Sequence, residues 1–431
     1  MKMMALRMLS KVCWSQRCSS SPFLAKMPAR TFNSWDEFCS RSGVTQTAHD
    51  HKNLSITWED GHSSQFPLIW LADNAPEAFD PQTKQRMANR KRLSMTHRIQ
   101  KIELISKKEQ SDDMVLVYWA EGSLRKSLFS ARWLRQQCMS SKAKKLRPLM
   151  GRGGAKEIAL WGKDLLSQGQ SSPYIEFAEV VDGGAEGVKK LMTHLSRYGI
   201  VFVNGVPTTI AETQRLSETI GPIKNTLYGG MWSTRAASNE EEIFNDTAYG
   251  NEALPLHTDG TYFHDPPGLQ VFNCTKQGYE GGASRFADGF AVAERLKEQA
   301  PWAFEFLSKA SFDYQCFDNN CHLYASGPIF LLNKAGQVIQ MRHNDTDQVP
   351  LTGFSNEDIE LFYNSQKELT KVIEDPDIVF EKVLQPGETF ILNNHRVMHG
   401  RSAFKGERRM IGCYIGSDDF ESHARHLNLW D

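Results

Sequence analysis

The 431-residue chain has no unbroken apolar run approaching 18 residues, so no segment reads as a membrane-spanning helix. It also lacks a charge surplus: 50 basic against 51 acidic residues give a formal net charge of −1, which removes the bulk electrostatic case for a nucleic-acid partner. Eight cysteines are scattered with no CxxC pair, so a disulfide scaffold is not expected. One sign of charge is missing locally. No acidic residue precedes Asp36, whereas Lys2, Arg7, Lys11, Arg17, Lys26 and Arg30 are all basic and Ser10, Ser15, Ser19, Ser20 and Ser21 lie among them. Basic, Ser-rich and acid-free is the composition of a mitochondrial transit segment, expected over residues 1–35; the plainer alternative is a disordered basic tail. What remains, 40% hydrophobic with 31 Gly and 17 Pro, is globular and long enough to bury a sizeable core in one large or two moderate domains.

Residues 53–71 read as strand, tight turn and strand, with Asp60-Gly61 at the turn and Phe66 to Leu71 returning. Residues 114–134 repeat the plan around Glu121-Gly122 and end in Trp133-Leu134. Two Trp-bearing hairpins predict a small β-rich domain at 45–137, followed by a basic, Gly-rich linker at 138–165. The remaining segment, 166–431, opens with a helix whose Val188, Leu191, Met192 and Leu195 share a face and which Gly199 stops. Thr209 and Glu212 form a capping box, and a further helix over 289–310 is kinked or restarted at Pro301. Short strands follow at 268–274, 329–332, 338–342, 388–393 and 409–415. Together these predict a mostly β, double-sheet fold of jelly-roll type with helical cover.

The segment LPLHTDGTYFHDPPGLQ places His257 and Asp259 two apart, on one face if the backbone is extended. A His and an Asp on one face can supply two legs of a 2-His-1-carboxylate iron site, although HxD alone more often means a half-buried His paired with an Asp. Far downstream, the strand GETFIL leads into NNHRVMHGRSAF. His399, directly before Gly400-Arg401, is the choice for third ligand over His395. Arg408 follows nine residues after His399, at the head of a strand, where a guanidinium can clamp a second carboxylate through two parallel hydrogen bonds. A three-residue iron face with a distant carboxylate clamp describes an Fe(II)/2-oxoglutarate oxygenase.

From Tyr228 to the C-terminus the chain resembles the trimethyllysine dioxygenase and γ-butyrobetaine hydroxylase family of such oxygenases, the former more closely. The stretches LYGGMW, NDTAYG, HTDGTYF, PPGLQ, ADGF, RVMHGR and GCY carry the resemblance over about 200 residues in order, and IWLADN resembles the family's small N-terminal domain. The resemblance implies a double-stranded β-helix core, with His257, Asp259 and His399 holding Fe(II). It also implies Arg408 and Ser284 on 2-oxoglutarate, and Tyr228, Trp232, Tyr249 and Tyr414 as an aromatic cage for a quaternary ammonium. Taken without that context, four aromatics read as ordinary core. A trimethylammonium group donates no hydrogen bond, so π faces are the recognition available to it.

Asp246 stands where the butyrobetaine enzymes have an amide; a carboxylate there attracts an α-ammonium and repels a bare carboxylate, which favours trimethyllysine. Asn344 and Asp345 stand where the family has two asparagines. Family members often hold zinc in the N-terminal domain, but Ala75 to Asp80 contain no cysteine and Gly122 or Ser123 falls where the His would be, so no structural zinc is expected. Gly260 replaces a Thr or Tyr after the iron Asp, and His395 replaces a Trp, a packing position. The resemblance further implies ascorbate as reductant, a homodimer, a small quaternary-ammonium substrate and a mitochondrial matrix location. Three readings result: C3 hydroxylation of N6,N6,N6-trimethyl-L-lysine first, γ-butyrobetaine hydroxylation second, and a non-catalytic binder of a quaternary amine third.

Overall fold

In a computed structural model, residues 35–87, 90–93, 95–105, 112–120, 125–146, 155–167, 172–236, 250–318 and 321–430 are described. The chain divides into two compact units, Met1–Arg147 and Pro148–Asp431. β-Sheets form its framework and α-helices pack over them.

The first unit contains two three-stranded antiparallel sheets, Val44–His49, Asn53–Trp58 and Ser63–Pro67, then Ile99–Ile105, Met114–Trp119 and Lys126–Ser130. The Asp60-Gly61 turn is present, with Gly61 at φ 78°. The hairpins are shorter than expected, because both Trp-Leu segments are helical: Leu68–Asp73 and Ala131–Gln136. Pro67 cannot donate to a ladder, and Leu68, Leu71 and Ala72 are buried at i, i+3 and i+4, which is a helical face. Ser130 caps the second helix by accepting from the Trp133 amide. Each sheet repeats one device, an indole N–H donating to a serine hydroxyl: Trp58 to Ser64 at 2.8 Å and Trp119 to Ser127 at 3.0 Å. In the stretch expected to be a linker, Ser141–Leu146 is helical, and Trp161 and Leu165 are buried in the second unit's core. Gly122 and Ser123 lie outside the described residues.

The second unit is built on eleven strands in two sheets. In chain order these are β1 (Tyr174–Glu176), β2 (Ile200–Asn204), β3 (Ile223–Lys224), β4 (Met231–Ala236), β5 (Leu254–His257), β6 (Leu269–Lys276), β7 (Ser284–Asp288), β8 (Phe380–Lys382), β9 (Thr389–Asn393), β10 (Val397–Arg401) and β11 (Arg408–Ile415). The larger sheet runs β4-β11-β6-β9-β2-β1, with β3 also on β11; the smaller runs β5-β10-β7-β8. Only β1 and β2 pair in parallel within these sheets. Rings from both sheets interleave: Phe286 of β7 meets Phe390 of β9 edge-on at 5.0 Å and Phe202 of β2 at 5.7 Å.

Helices cover the sheets. Gly184–Tyr198 buries Leu191, Met192 and Leu195 and ends at Gly199, whose φ of 73° an L side chain rarely adopts. Thr209 caps Ile210–Glu218. The helix expected over 289–310 is two, Gly289–Gln299 and Pro301–Lys309, because Pro301 cannot continue the ladder and instead starts afresh. Asn356–Ile373 was not anticipated, although Ser355 followed by Asp358 is a legible cap. A buried bidentate pair pins the smaller sheet: Arg396 donates to both Asp288 oxygens at 3.0 and 2.8 Å, at the joint where Asp288 of β7 faces Val397 of β10.

Candidate active site

Alternation along β11 turns Arg408, Met410, Gly412 and Tyr414 to one face, and antiparallel register sets Phe272 opposite Gly412 and Gln270 opposite Tyr414. Trp232 of β4 also lies opposite Gly412. These inner faces and the smaller sheet enclose a cavity of about 430 Å³.

On the smaller sheet, β5 and β10 place His257 directly opposite His399, with ring centroids 4.5 Å apart. Asp259 follows two residues after His257, just beyond the strand end. Its Oδ1 stands 3.3 Å from His257 Nε2 and 3.5 Å from His399 Nε2. Gly260 lets the chain turn away at φ 67°, where a Cβ would meet Phe263 at 2.7 Å and Pro267 at 2.8 Å. The Asp259 main chain is clamped by Asn394, which accepts from its amide at 2.8 Å and donates to its carbonyl at 2.9 Å.

These three side chains have 10 to 18% of their surface accessible, so they are shielded yet reachable. Among the described residues they form the one group of His, Cys, Asp or Glu gathered closely enough to hold a metal, with ligand atoms within 4.8 Å. His257 Nδ1 donates to the Pro255 carbonyl at 2.8 Å, which leaves Nε2 as the nitrogen facing Asp259. Burial pushes the His399 imidazole down to about 4, which Asp259's charge only partly offsets. Burial also works against the Asp259 charge, but His399, His257 and Tyr414 hold its carboxyl well below the usual range. His257 is raised, Asp259 overcoming the effect of burial. Two neutral-capable imidazole nitrogens and one ionised oxygen are the donor set a divalent iron requires, and the residues fit such an ion.

Arg408, also lining the cavity, is 7% exposed. Its Nη2 donates to Ser284 Oγ at 3.3 Å, and its Nε has no partner among the described residues. Neighbouring Cys274 offers no charge, because burial pushes its thiol up to about 11. Arg401, at the end of β10 opposite Ser284, also lines the cavity, and burial together with Arg408's charge lowers it to about 10. A buried guanidinium with an open N–H and no acidic partner among the described residues fits an anion such as the far carboxylate of a keto acid.

Tyr228, Trp232 and Tyr414 form an aromatic stretch of the cavity lining. Trp232 stands 5.5 Å from Tyr414 and 6.5 Å from Tyr228, with the rings steeply inclined. Gly412 makes room for the indole: a Cβ there would lie 2.2 Å from Trp232. Tyr262, which the sequence reading did not single out, exchanges a hydroxyl hydrogen bond with Tyr228 at 3.0 Å. Asp246 and Tyr249 lie outside the described residues. On the far wall, Asn344 gives its amide to Asp347 at 3.0 Å and accepts from the Thr346 hydroxyl at 2.8 Å, while Asp345 is exposed at the cavity lining. His395 is turned away from the triad, bonded to the Pro266 carbonyl at 3.1 Å.

Sequence reasoning also missed Gln270, Asn394 and Arg401. Gln270 could have been found from the strand alternation that puts it on Phe272's face, and Arg401 from its position two residues beyond His399 on the same strand face.

Residues 162–414 match the family described as taurine catabolism dioxygenase TauD, TfdA family, and residues 45–110 match gamma-butyrobetaine hydroxylase-like, N-terminal. Among curated proteins the chain is 31% identical over 407 residues to trimethyllysine dioxygenase of Meyerozyma guilliermondii, covering 90% of this chain and 96% of that one. It is 30% identical over 408 residues to the mitochondrial trimethyllysine dioxygenase of Bos taurus, covering 92% and 90%. Gamma-butyrobetaine dioxygenase of Pongo abelii is 28% identical over 385 residues, covering 87% and 94%.

Proposed function

This chain belongs to the taurine catabolism dioxygenase TauD, TfdA family, and from that premise we propose that it hydroxylates N6,N6,N6-trimethyl-L-lysine at C3. The observation that carries the reading is the meeting of three receptors in one cavity: a His-Asp-His triad, the buried Arg408 and inclined aromatic faces. We read the two sheets as a double-stranded β-helix.

His257, Asp259 and His399 would hold Fe(II). Iron with 2-oxoglutarate supplies, when bound, the oxidising power that turns C–H into C–OH while 2-oxoglutarate becomes succinate and CO2. The protein's own work is placement. Arg408 and Ser284 receive the distal carboxylate of 2-oxoglutarate. Tyr228, Trp232 and Tyr414, with Tyr249, receive the trimethylammonium through their π faces, each desolvated contact worth up to about 2 kcal/mol. Phe272, Phe390 and Met410 wall the cavity and keep water from the reacting carbon. Asp246 and Asn344 serve the amino-acid end. Ascorbate as reductant, a homodimer, a transit segment over 1–35 and a matrix location complete the reading; the mitochondrial names of relatives support the last.

The test loads the protein anaerobically with Fe(II) and 2-oxoglutarate, then admits air with trimethyllysine or γ-butyrobetaine in separate vessels. Succinate and a product one oxygen heavier from trimethyllysine are expected. Product from γ-butyrobetaine alone replaces the substrate, and no product from either leaves a quaternary-amine binder.

A further inference from the structure

Asp259 uses its two oxygens differently. Oδ1 faces the imidazoles, whereas Oδ2 accepts the Tyr414 hydroxyl at 2.7 Å and the Gln270 side-chain amide. Gln270 and Tyr414 are cross-strand partners on β6 and β11, so both donors are set by the register of a sheet that carries neither histidine. Gln270 is 1% exposed, and its Oε1 has no partner among the described residues; Asp259 alone fixes which way its amide points. The ring of Tyr414 meanwhile forms one wall of the aromatic group, 5.5 Å from Trp232.

We propose that Gln270 and Tyr414 are positioning residues that restrict Asp259 to one-oxygen metal binding, and that Tyr414 joins the carboxylate to the ammonium receptor through a single side chain. With Oδ2 held by two donors, only Oδ1 is available to an ion, so the carboxylate cannot close over a second coordination position and the face opposite the triad stays open. A ligand's outer hydrogen bonds also fix its orientation before the metal arrives. The proposal rests on the reading of His257, Asp259 and His399 as the metal site, and goes beyond the cage role given to Tyr414.

The experiment titrates cobalt(II) into the full-length metal-free protein without co-substrate, recording the dissociation constant and the visible ligand-field spectrum. Tyr414→Phe keeps the ring and removes the hydroxyl; Gln270→Leu removes the amide at similar volume. Each is expected to weaken cobalt binding about tenfold or more and to change the spectrum as the carboxylate turns toward two-oxygen binding. Trimethyllysine binding to cobalt-saturated Tyr414→Phe is expected to stay within about twofold, since the π face remains, whereas Tyr414→Leu loses both affinities. Wild-type cobalt affinity and spectrum in Tyr414→Phe would overturn the proposal, even if Gln270→Leu fails to fold. Absence of trimethyllysine turnover by the wild type, with the cobalt differences intact, overturns the substrate reading and leaves this proposal standing.

Discussion

A guanidinium as buried as that of Arg408 carries a desolvation cost of several kcal/mol unless an anion or a full set of hydrogen bonds offsets it, and Ser284 supplies one contact at 3.3 Å. Arg408→Met is therefore expected to act in opposite directions on two readouts. The KM for 2-oxoglutarate rises at least tenfold, since charge-assisted hydrogen bonds contribute about 1.5–3 kcal/mol each. The melting temperature without co-substrate stays level or rises, because an uncompensated buried charge has gone. Steady-state kinetics and differential scanning fluorimetry read the two effects. Asp345 shows the contrasting case of an exposed charge at the cavity lining. Asp345→Asn is expected to improve kcat/KM for γ-butyrobetaine severalfold relative to trimethyllysine. Because solvent-exposed charges are screened, that change in selectivity should shrink as salt is raised from 0.05 to roughly 0.5 M.

At the scale of elements, β11 works as a ruler. A strand rises about 3.4 Å per residue, so its inner face sets Arg408 and Tyr414, the proposed anion and ammonium contacts, about 20 Å apart along one backbone. Between them Gly412 seats the Trp232 indole. Gly412→Ala is expected to destabilise the protein by about 1–3 kcal/mol through overpacking. It should also raise the KM for trimethyllysine more than that for 2-oxoglutarate, because the displaced ring belongs to the proposed ammonium site; chemical denaturation and paired KM values check this. Local chemistry decided several boundaries. Pro67 and Ser130 end the second strand of each N-terminal hairpin and start a helix there, which an apolar Trp-Leu run alone does not reveal. Pro301 divides what periodicity reads as one long helix.

The molecule as a whole comprises two compact units, and the three receptors lie in the second. A ligand that binds the folded state alone stabilises it by mass action, about 2.7 kcal/mol at a hundredfold excess over its Kd. Manganese(II) with 2-oxoglutarate is thus expected to raise hydrogen-exchange protection within residues 148–431 and to leave the 35–147 sheets unchanged. In His399→Ala the added protection should vanish. Equal protection gained in both units would contradict the assignment of the whole site to the second.

The sequence alone determined whatever depends on order and local chemistry. Mostly β character followed from short apolar runs between turn signals, the Gly199 stop and Thr209 cap from residue type, and the proposed iron triad with Arg408 from motifs whose spacing survives without coordinates. The tertiary structure decided what depends on register between distant strands. That His257 faces His399 is a property of the β5–β10 ladder, across more than a hundred residues of chain. That Gln270 and Tyr414 converge on one carboxylate oxygen is a property of the β6–β11 ladder. Pairing a strand one residue out of step reverses every side chain, so no pattern within a single segment can supply such contacts.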